Sequence, residues 1–586
     1  MNEHGRLVSW GRQGLQALRA LDADRWSMLL LAAVAVLWAA TVTDYGVTWD
    51  EDVHAYYGSL VVDYYASGFE DLRALSWWNL YLYGAAFDAF AALLAKVSPL
   101  GLYETRHALN IVVGLIGLIG TWKLARAVGG PKVAFWALVF MAAAPTYYGH
   151  SFNNPKDVPF AAGIVWAVYY AVRILQGMPR PPLRDVLLFG LAAGLATGVR
   201  VGGFIVFGYL VLGVGVIVIA RAIAERSLRQ FVVETWTSVW RIALPALAVL
   251  FPVMLAGWPW AQQDPLKHPY LALTEFSHHT YPWKTLFAGG YYEADKLPWT
   301  YLPTHLLLKV PELVVASFAL ALALALWRFG EGLVAGRGER AQRVIHAMPG
   351  FLIGFAAIFP VVYAIAVRVT LFDGMRHFLF VVPPISIVGA YGFQRLLDWI
   401  RDRSWGRAWK TAVVTALVAY GLFHGSTMAR LHPNEYVYYN RFIGGADGAE
   451  GLFKLDYWGN SYAEAVRGLV DKLREDYGDE FESRNFKVRV CGPKAPASYY
   501  FPPNLEMTAD NNAADFVITM TAYVPAGVMT PEAECGTALA GREIYRVERM
   551  DALMSMVIDR REIKLAAARA QVQADARRRL RSLPLP

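Results

Sequence analysis

The chain has 586 residues, of which 56% are hydrophobic and only 18% charged, and its mean hydropathy is +0.31. A soluble globular chain carries about a quarter charged residues, so this composition excludes an ordinary cytosolic domain and points to a polytopic α-helical membrane protein. The formal net charge of +7 is no argument for nucleic acid, because Lys and Arg in a membrane chain set orientation.

Residues 1–25 mix arginines with several acids and read as a cytoplasmic N-terminal segment. No small-residue cleavage site follows, so the uncharged run from Trp26 to Thr43 reads as a retained first span. Further apolar runs lie near residues 107–122, 133–148, 158–172, 185–199, 201–220, 240–258, 306–327, 348–367, 378–396 and 409–427, for about eleven spans. With the N-terminus cytoplasmic, Lys and Arg are about threefold denser in the inner loops than in the outer ones.

That threading makes four segments external: the long loop 44–106, the short loop in "YGHSFNNPKD", the Trp- and Tyr-rich loop 259–305, and the chain after about Met428. The expected organisation is a transmembrane domain over 26–427 and an external soluble α/β domain over 428–586. In the latter, "SYAEAVRGLVDKLREDY" reads as a helix, and "FKVRVCG", "ADFVITM" and "REIYRVER" as strands. The tail "AARAQVQADARRRLRSLPLP" reads as a solvated or membrane-skimming basic helix. Cys491 and Cys535 are the only cysteines. In an oxidising compartment they either pair or stay as two buried thiols, and pairing is the expectation.

The acids that can carry chemistry lie just past the first span. "VTWDEDVHAYYG" sets Asp50, Glu51 and Asp52 in a row among aromatics. A charge run usually marks a solvated loop start, but carboxylates held at a low-dielectric interface are costly and tend to be kept for function. Asp157 opens a span, where an acid is favourable for capping alone. Two external acids beside neighbouring spans suggest one shared site. Arg106, Lys156, Arg200 and Arg376 fall on the same side. Each alone reads as a residue snorkelling to headgroups. Together they point to a phosphate-bearing ligand, which arginine grips bidentately. His268, His278 and His279 match no ligand spacing, so a divalent metal is left open without support and no cofactor is implied. Walker, GxSxG and HExxH motifs do not occur, so a soluble-nucleotide site has no basis.

The first span, the external Asp50-Glu51 pair, the aromatic loop "SWWNLYLYGAAF" and the helix start "ETRHALN" together resemble the glycosyltransferase C superfamily. The chain is most similar to its branch of protein O-mannosyltransferases and lipid A aminoarabinose transferases. Asp157 in a short second loop, Arg200 and Gly202 in a hairpin, and a terminal external domain follow in the same order, over roughly residues 26–430. The resemblance implies a hexosyl- or pentosyltransferase with inverting chemistry and a polyprenyl-phosphate sugar donor. It implies a glycan, lipid or protein acceptor on the periplasmic side of a bacterial inner membrane. By motif position Asp50 is the base that activates the acceptor and Glu51 its partner. Two departures leave sugar and acceptor open: "WWNLYLYGAAF" lacks the prolines frequent in the family's loop, and the sugar-binding-like insertion of the eukaryotic enzymes is missing.

A polytopic transporter or lipid flippase is the alternative. It would place ionisable residues within spans near the midplane, whereas here they gather in loops. A non-catalytic envelope scaffold would leave the loop acids without a role.

Overall fold

In the computed structural model, which describes residues 22–277, 284–333, 337–520 and 539–581, helix α1 (Ala23–Thr41) buries only Ser27, Val34 and Trp38. Asp22 caps it by accepting from the Arg25 N–H at 2.8 Å. Trp26, Met28, Leu29, Val36 and Leu37 are exposed, a pattern that suits hydrocarbon and not water. Then come α2 (Trp49–Ala66), α3 (Ala86–Ala95), α4 (Leu102–Ala142), α5 (Pro145–Asn153), α6 (Asp157–Gly177), α7 (Leu183–Thr197), α8 (Ile205–Glu225), α9 (Leu228–Ser238) and α10 (Leu244–Ala256). The second half adds α11 (Tyr301–Lys309), α12 (Glu312–Leu333), α13 (Arg337–Ala366), α14 (Val382–Asp402) and α15 (Arg407–Leu431). Among the buried residues of α15 are only His424, Thr427 and Leu431, so this helix too presents its apolar surface outward.

Nine helical segments among the described residues are long and apolar enough to cross a membrane, against the eleven runs expected. The difference lies at two places. Helix α7 has 15 residues, short of a full crossing, and α4 counts once at 41 residues. Yet α4 is not one rod. Gly130 adopts φ +76° and is followed by Pro131, which breaks the helix. A straight helix would separate Asn110 from Met141 by about 45 Å. Instead Asn110 Nδ2 donates to the His150 carbonyl at 3.1 Å, and Tyr147 Oη donates to that of Gly114 at 3.0 Å. The chain therefore doubles back at Gly130 into two antiparallel arms, over the two runs expected at 107–122 and 133–148.

The segment after α1 is largely helical. Tyr57, Leu60, Val61, Tyr64, Ala74, Leu80 and Ala85 form a small core of their own between α2 and α3. This unit docks on the bundle through backbone: the Ala85 N–H donates to Gly257 O at 2.7 Å and the Ala86 N–H to Gly198 O at 3.2 Å. A Cβ on Gly84 would lie 1.9 Å from Gly198 O, so only glycine lets the two turns meet.

Beyond α15 the chain builds α16 (Tyr462–Tyr477) and five strands: β1 (Phe486–Cys491), β2 (Leu505–Met507), β3 (Phe516–Met520), β4 (Arg542–Arg549) and β5 (Ala552–Asp559). The sheet order is β2-β1-β3-β5-β4, parallel across β2, β1 and β3 and antiparallel from β3 to β5 to β4. Strand β3 is buried along its whole length, as a continuous apolar run in mid-sheet should be. The expected helix and three expected strands are all present. β2 and β5 are additions. The tail forms α17 (Arg561–Arg581). Cys491 is buried at the end of β1 and disulfide-bonded, while Cys535 lies outside the described residues.

Candidate active site

Thr48 caps α2, and its three leading acids fall in the first turn, where carboxylates face the helix's positive end. Successive residues on a helix point about 100° apart, so the three carboxylates acquire different partners. Asp50 turns toward the bundle. Its Oδ2 lies 2.9 Å from Lys156 Nζ and 3.1 Å from Arg376 Nη1. Glu51 turns back: it closes a capping box with Thr48, accepting its N–H at 2.9 Å, and pairs with His107 at 3.0 Å. Asp52 accepts from Tyr103 Oη at 3.3 Å. The adjacent acid pair is thus split, and Glu51 does not share a site with Asp50.

Asp157 does share it. It is the first residue of α6, but the cap is made by Asn154, whose Oδ1 accepts from the Asp157 N–H at 2.8 Å. This frees the Asp157 carboxylate, which pairs with Arg200 and lies 3.5 Å from Arg376 Nη1. Arg376 also meets Asp373 at 3.3 Å, and Asp373 has Lys454 at 3.8 Å. Three carboxylates therefore face four cations, Lys156, Arg200, Arg376 and Lys454, leaving one positive charge in excess. The Nε atoms of Arg200 and Arg376 are buried and have no hydrogen-bond partner.

Aromatic faces hold these cations in place. Lys156 Nζ and Arg200 Cζ lie 5.2 and 5.8 Å from the Tyr83 ring, and Arg376 Cζ lies 5.0 Å from the Trp458 ring. The C-terminal chain is itself tied to the start of α2: the Trp49 N–H donates to Trp458 O at 2.9 Å, and the Gly46 N–H to Asn460 Oδ1 at 2.9 Å. The loops expected to be external thus meet at one end of the bundle.

Burial alone would raise the Asp50 carboxyl, but Lys156, Arg376 and His54 outweigh it and hold it well below the usual carboxylate range. Beneath the cluster, burial together with Arg376 and Lys309 brings His150 down to about 3, against a smaller opposing pull from Asp157. His150 is therefore neutral. Its Nδ1 accepts from Asn154 Nδ2 at 3.3 Å, which leaves its Nε2–H to face Tyr457 Oη at 3.1 Å.

Arg106 is not in this cluster. It is 1% exposed, and its Nη2 lies 2.5 Å from Asp88 Oδ1. Its place in the expected phosphate set is corrected accordingly. His268 stacks on Trp260 and pairs with that residue's carbonyl through Nδ1, while His278 and His279 lie outside the described residues. No His, Cys, Asp and Glu group suited to a metal occurs among the described residues. Sequence reasoning missed Asp373, Asn154, Tyr83 and Trp458. Only Asp373, three residues before Arg376 in "FDGMRH", carried a visible signal, an acid beside a cation at the start of an apolar run.

The site therefore sits in a bundle of apolar helices, with a small sheet domain after it in the chain. Residues 88–255 match the family model of dolichyl-phosphate-mannose-protein mannosyltransferases, which bears out the resemblance carried by the sequence. The matched segment contains Lys156, Asp157 and Arg200 and lies between Asp50 and Arg376. Among solved structures, the chain is similar to ArnT from Cupriavidus metallidurans bound to undecaprenyl phosphate, with 14% identity and TM-score 0.47, over 92% of this chain and 98% of that one. It is also similar to the oligosaccharyltransferase of Archaeoglobus fulgidus, with 11% identity and TM-score 0.46, over 84% and 69%. No curated protein matches the chain.

Proposed function

We propose that the protein transfers a sugar from a polyprenyl-phosphate donor to a hydroxyl acceptor at the end of the bundle where Asp50, Lys156, Asp157, Arg200 and Arg376 meet. One observation carries this reading. The Asp50 carboxylate is bridged by Lys156 and Arg376, and the Nε–H groups of Arg376 and of Arg200 beside it are buried without partners. A phosphate supplies the acceptor oxygens those donors lack, and it competes with Asp50 for Lys156 and Arg376. The description of the matched family, in which the mannose donor is a dolichyl phosphate, supports the same donor chemistry.

While Lys156 and Arg376 bridge its carboxylate, Asp50 is too acidic to be a good base. Once phosphate takes its cations, the carboxylate regains proton affinity next to the acceptor hydroxyl. Asp50 then removes the hydroxyl proton as the acceptor oxygen attacks the anomeric carbon from the face opposite the phosphate, which inverts that centre. Lys156, Arg200 and Arg376 stabilise the charge that develops on the departing phosphate. Asp157 holds Arg200 and Arg376 in register. Such a site serves lipid-borne donors on the external side of a bacterial inner membrane, with the N-terminus cytoplasmic.

The test is transfer by the purified chain in liposomes supplied with a panel of polyprenyl-phosphate hexoses and pentoses and an envelope extract. Labelled sugar should pass to an acceptor with inversion and with release of polyprenyl phosphate. No transfer from any such donor would overturn the reading. Reporter fusions check the orientation. Those after Arg180, Arg229 and Arg407 should report cytoplasm, and those after Asp157, Tyr292 and Ser461 the external side.

A further inference from the structure

Among the described residues, the Tyr457 hydroxyl makes a single hydrogen bond, to His150, and it is one that the tyrosine must accept. The direction is set by the backbone that opens α6. The N–H groups of Lys156 and Asp157 both donate to Asn154 Oδ1, at 3.2 and 2.8 Å, which fixes the orientation of that amide. Asn154 Nδ2 then donates one hydrogen to Asp157 Oδ2 at 2.9 Å and the other to His150 Nδ1 at 3.3 Å. His150 Nδ1 is thus the acceptor of a neutral ring, and the ring proton is on Nε2. Tyr457 Oη lies 3.1 Å from Nε2 and accepts that proton in a hydrogen bond. The hydrogen of Tyr457 itself has to point elsewhere.

Tyr457 stands beside the ionic cluster. Asp157, Asn154, His150 and Tyr457 form one unbroken hydrogen-bonded chain that starts at a carboxylate of that cluster. The next residue, Trp458, lays its ring against Arg376 at 5.0 Å. The segment is held firmly: Asp456 accepts from the N–H groups of Trp458, Gly459 and Ser461 at 3.1, 2.8 and 3.0 Å, and from Tyr436 Oη. Burial pushes the Tyr457 hydroxyl well above its ordinary pKa, Arg376 opposes this, and Asp373 and Asp157 add to the rise, so the proton stays on the oxygen. A tyrosine kept only to accept from His150 would leave a buried O–H unmade, at a cost in stability.

Building on the reading of the cluster as a donor-phosphate site, we propose that Tyr457 is a further phosphate-binding residue whose hydroxyl donates to an oxygen of the polyprenyl-phosphate donor. Asn154 and His150 are positioning residues that turn the hydroxyl toward it. A phosphate oxygen supplies the acceptor that the described residues do not. The contact is a hydrogen bond and no proton is transferred. It strengthens as the bond to the anomeric carbon breaks, because negative charge then builds on the departing phosphate. The C-terminal chain thereby contributes a donor to the phosphate directly, beside the cations of the bundle.

The closing experiment uses undecaprenyl phosphate as probe and the full chain in nanodiscs, read by equilibrium titration. Tyr457→Phe keeps the ring and removes the hydroxyl. It should bind the probe about 10-fold more weakly, or worse, the size of a hydrogen bond to a charged group. A tyrosine fluorinated beside its hydroxyl, placed at position 457, is a better donor and a poorer acceptor. It should bind the probe more tightly than the unaltered chain, and it serves if Tyr457→Phe does not fold. Nitrogen NMR shifts should place the His150 ring proton on Nε2, with and without the probe. Equal affinity in Tyr457→Phe overturns the contact. Unchanged or weaker binding by the fluorinated chain shows that the hydroxyl only accepts from His150, and a proton on His150 Nδ1 removes its direction; either result overturns the proposal and spares the donor reading. Failure of the unaltered chain to bind the probe overturns the donor reading, and the role of Tyr457 with it.

Discussion

Asp50 and Arg376 are separated by 326 residues of chain and by 3.1 Å in space. Their contact joins the first turn of α2 to the turn that leads into α14, and Lys156 closes the group from the start of α6. In this cluster every carboxylate already has a cation, and one positive charge is left over.

Asp50→Asn keeps the size of the side chain but cannot take a proton. Transfer should fall at least ~100-fold, the low end of what a general base contributes. The variant should still insert and fold, and its affinity for polyprenyl phosphate should hold or rise, because Lys156 and Arg376 lose a competitor. Near-normal transfer by the purified variant would move the search for the base to Asp157.

Replacing Arg376 by alanine would strand Asp50, Asp157 and Asp373 in a buried setting, and breaking such pairs costs about 3–5 kcal/mol. Lysine is the informative substitution. Arg376→Lys and Arg200→Lys keep a charge but lose the fork, so each should weaken undecaprenyl phosphate binding by equilibrium titration. If neither does, the two arginines serve the fold only.

For Glu51 the expectation is structural. Glutamine preserves the capping box, so Glu51→Gln should leave transfer near normal. Glu51→Ala removes the cap and should lower stability by about 0.5–2 kcal/mol, read as a lower melting temperature. A loss of turnover in Glu51→Gln as large as in Asp50→Asn would return Glu51 to the chemistry.

His432 gives a pH signature outside the bundle. The Glu435 hydrogen bond raises its pKa against some opposition from burial, and Asp44 adds to the rise. A histidine whose pKa is raised on folding contributes fully below its unfolded value near 6.5 and loses that contribution as pH climbs through the raised value. The unaltered chain should therefore out-melt His432→Gln at pH 6, and the gap should close well above the raised value. An equal gap at both ends of the range would show that protonation of His432 does not hold the turn after α1 to the C-terminal chain.

Much of the helical frame could be read from the sequence because an apolar run in lipid leaves the backbone few options. The strand β5 was missed for a physical reason. It follows β4 through a turn at Met550 and Asp551, both at positive φ, where the usual Asn-Gly or Asp-Gly signal is lacking. From the sequence Arg106 reads as one of the phosphate set because its partner, Asp88, sits in the otherwise apolar α3, 18 residues earlier, and spacing does not show pairing. Asp50, Asp157, Arg200 and Arg376 could be grouped from the sequence because the charge asymmetry of the loops put them on one side. The splitting of Asp50 from Glu51 became visible only with α2, whose first turn sends neighbouring carboxylates in different directions.

The tie between Trp49 and Trp458 also has a consequence for biosynthesis. At about 5–20 residues per second, the ribosome makes Trp458 roughly 20–80 s after Asp50. Through that interval the nascent chain has the acid but lacks the ring that supports Arg376. A chain terminated before Trp458 would lack both the ring against which Arg376 lies and the carbonyl that accepts from the Trp49 N–H.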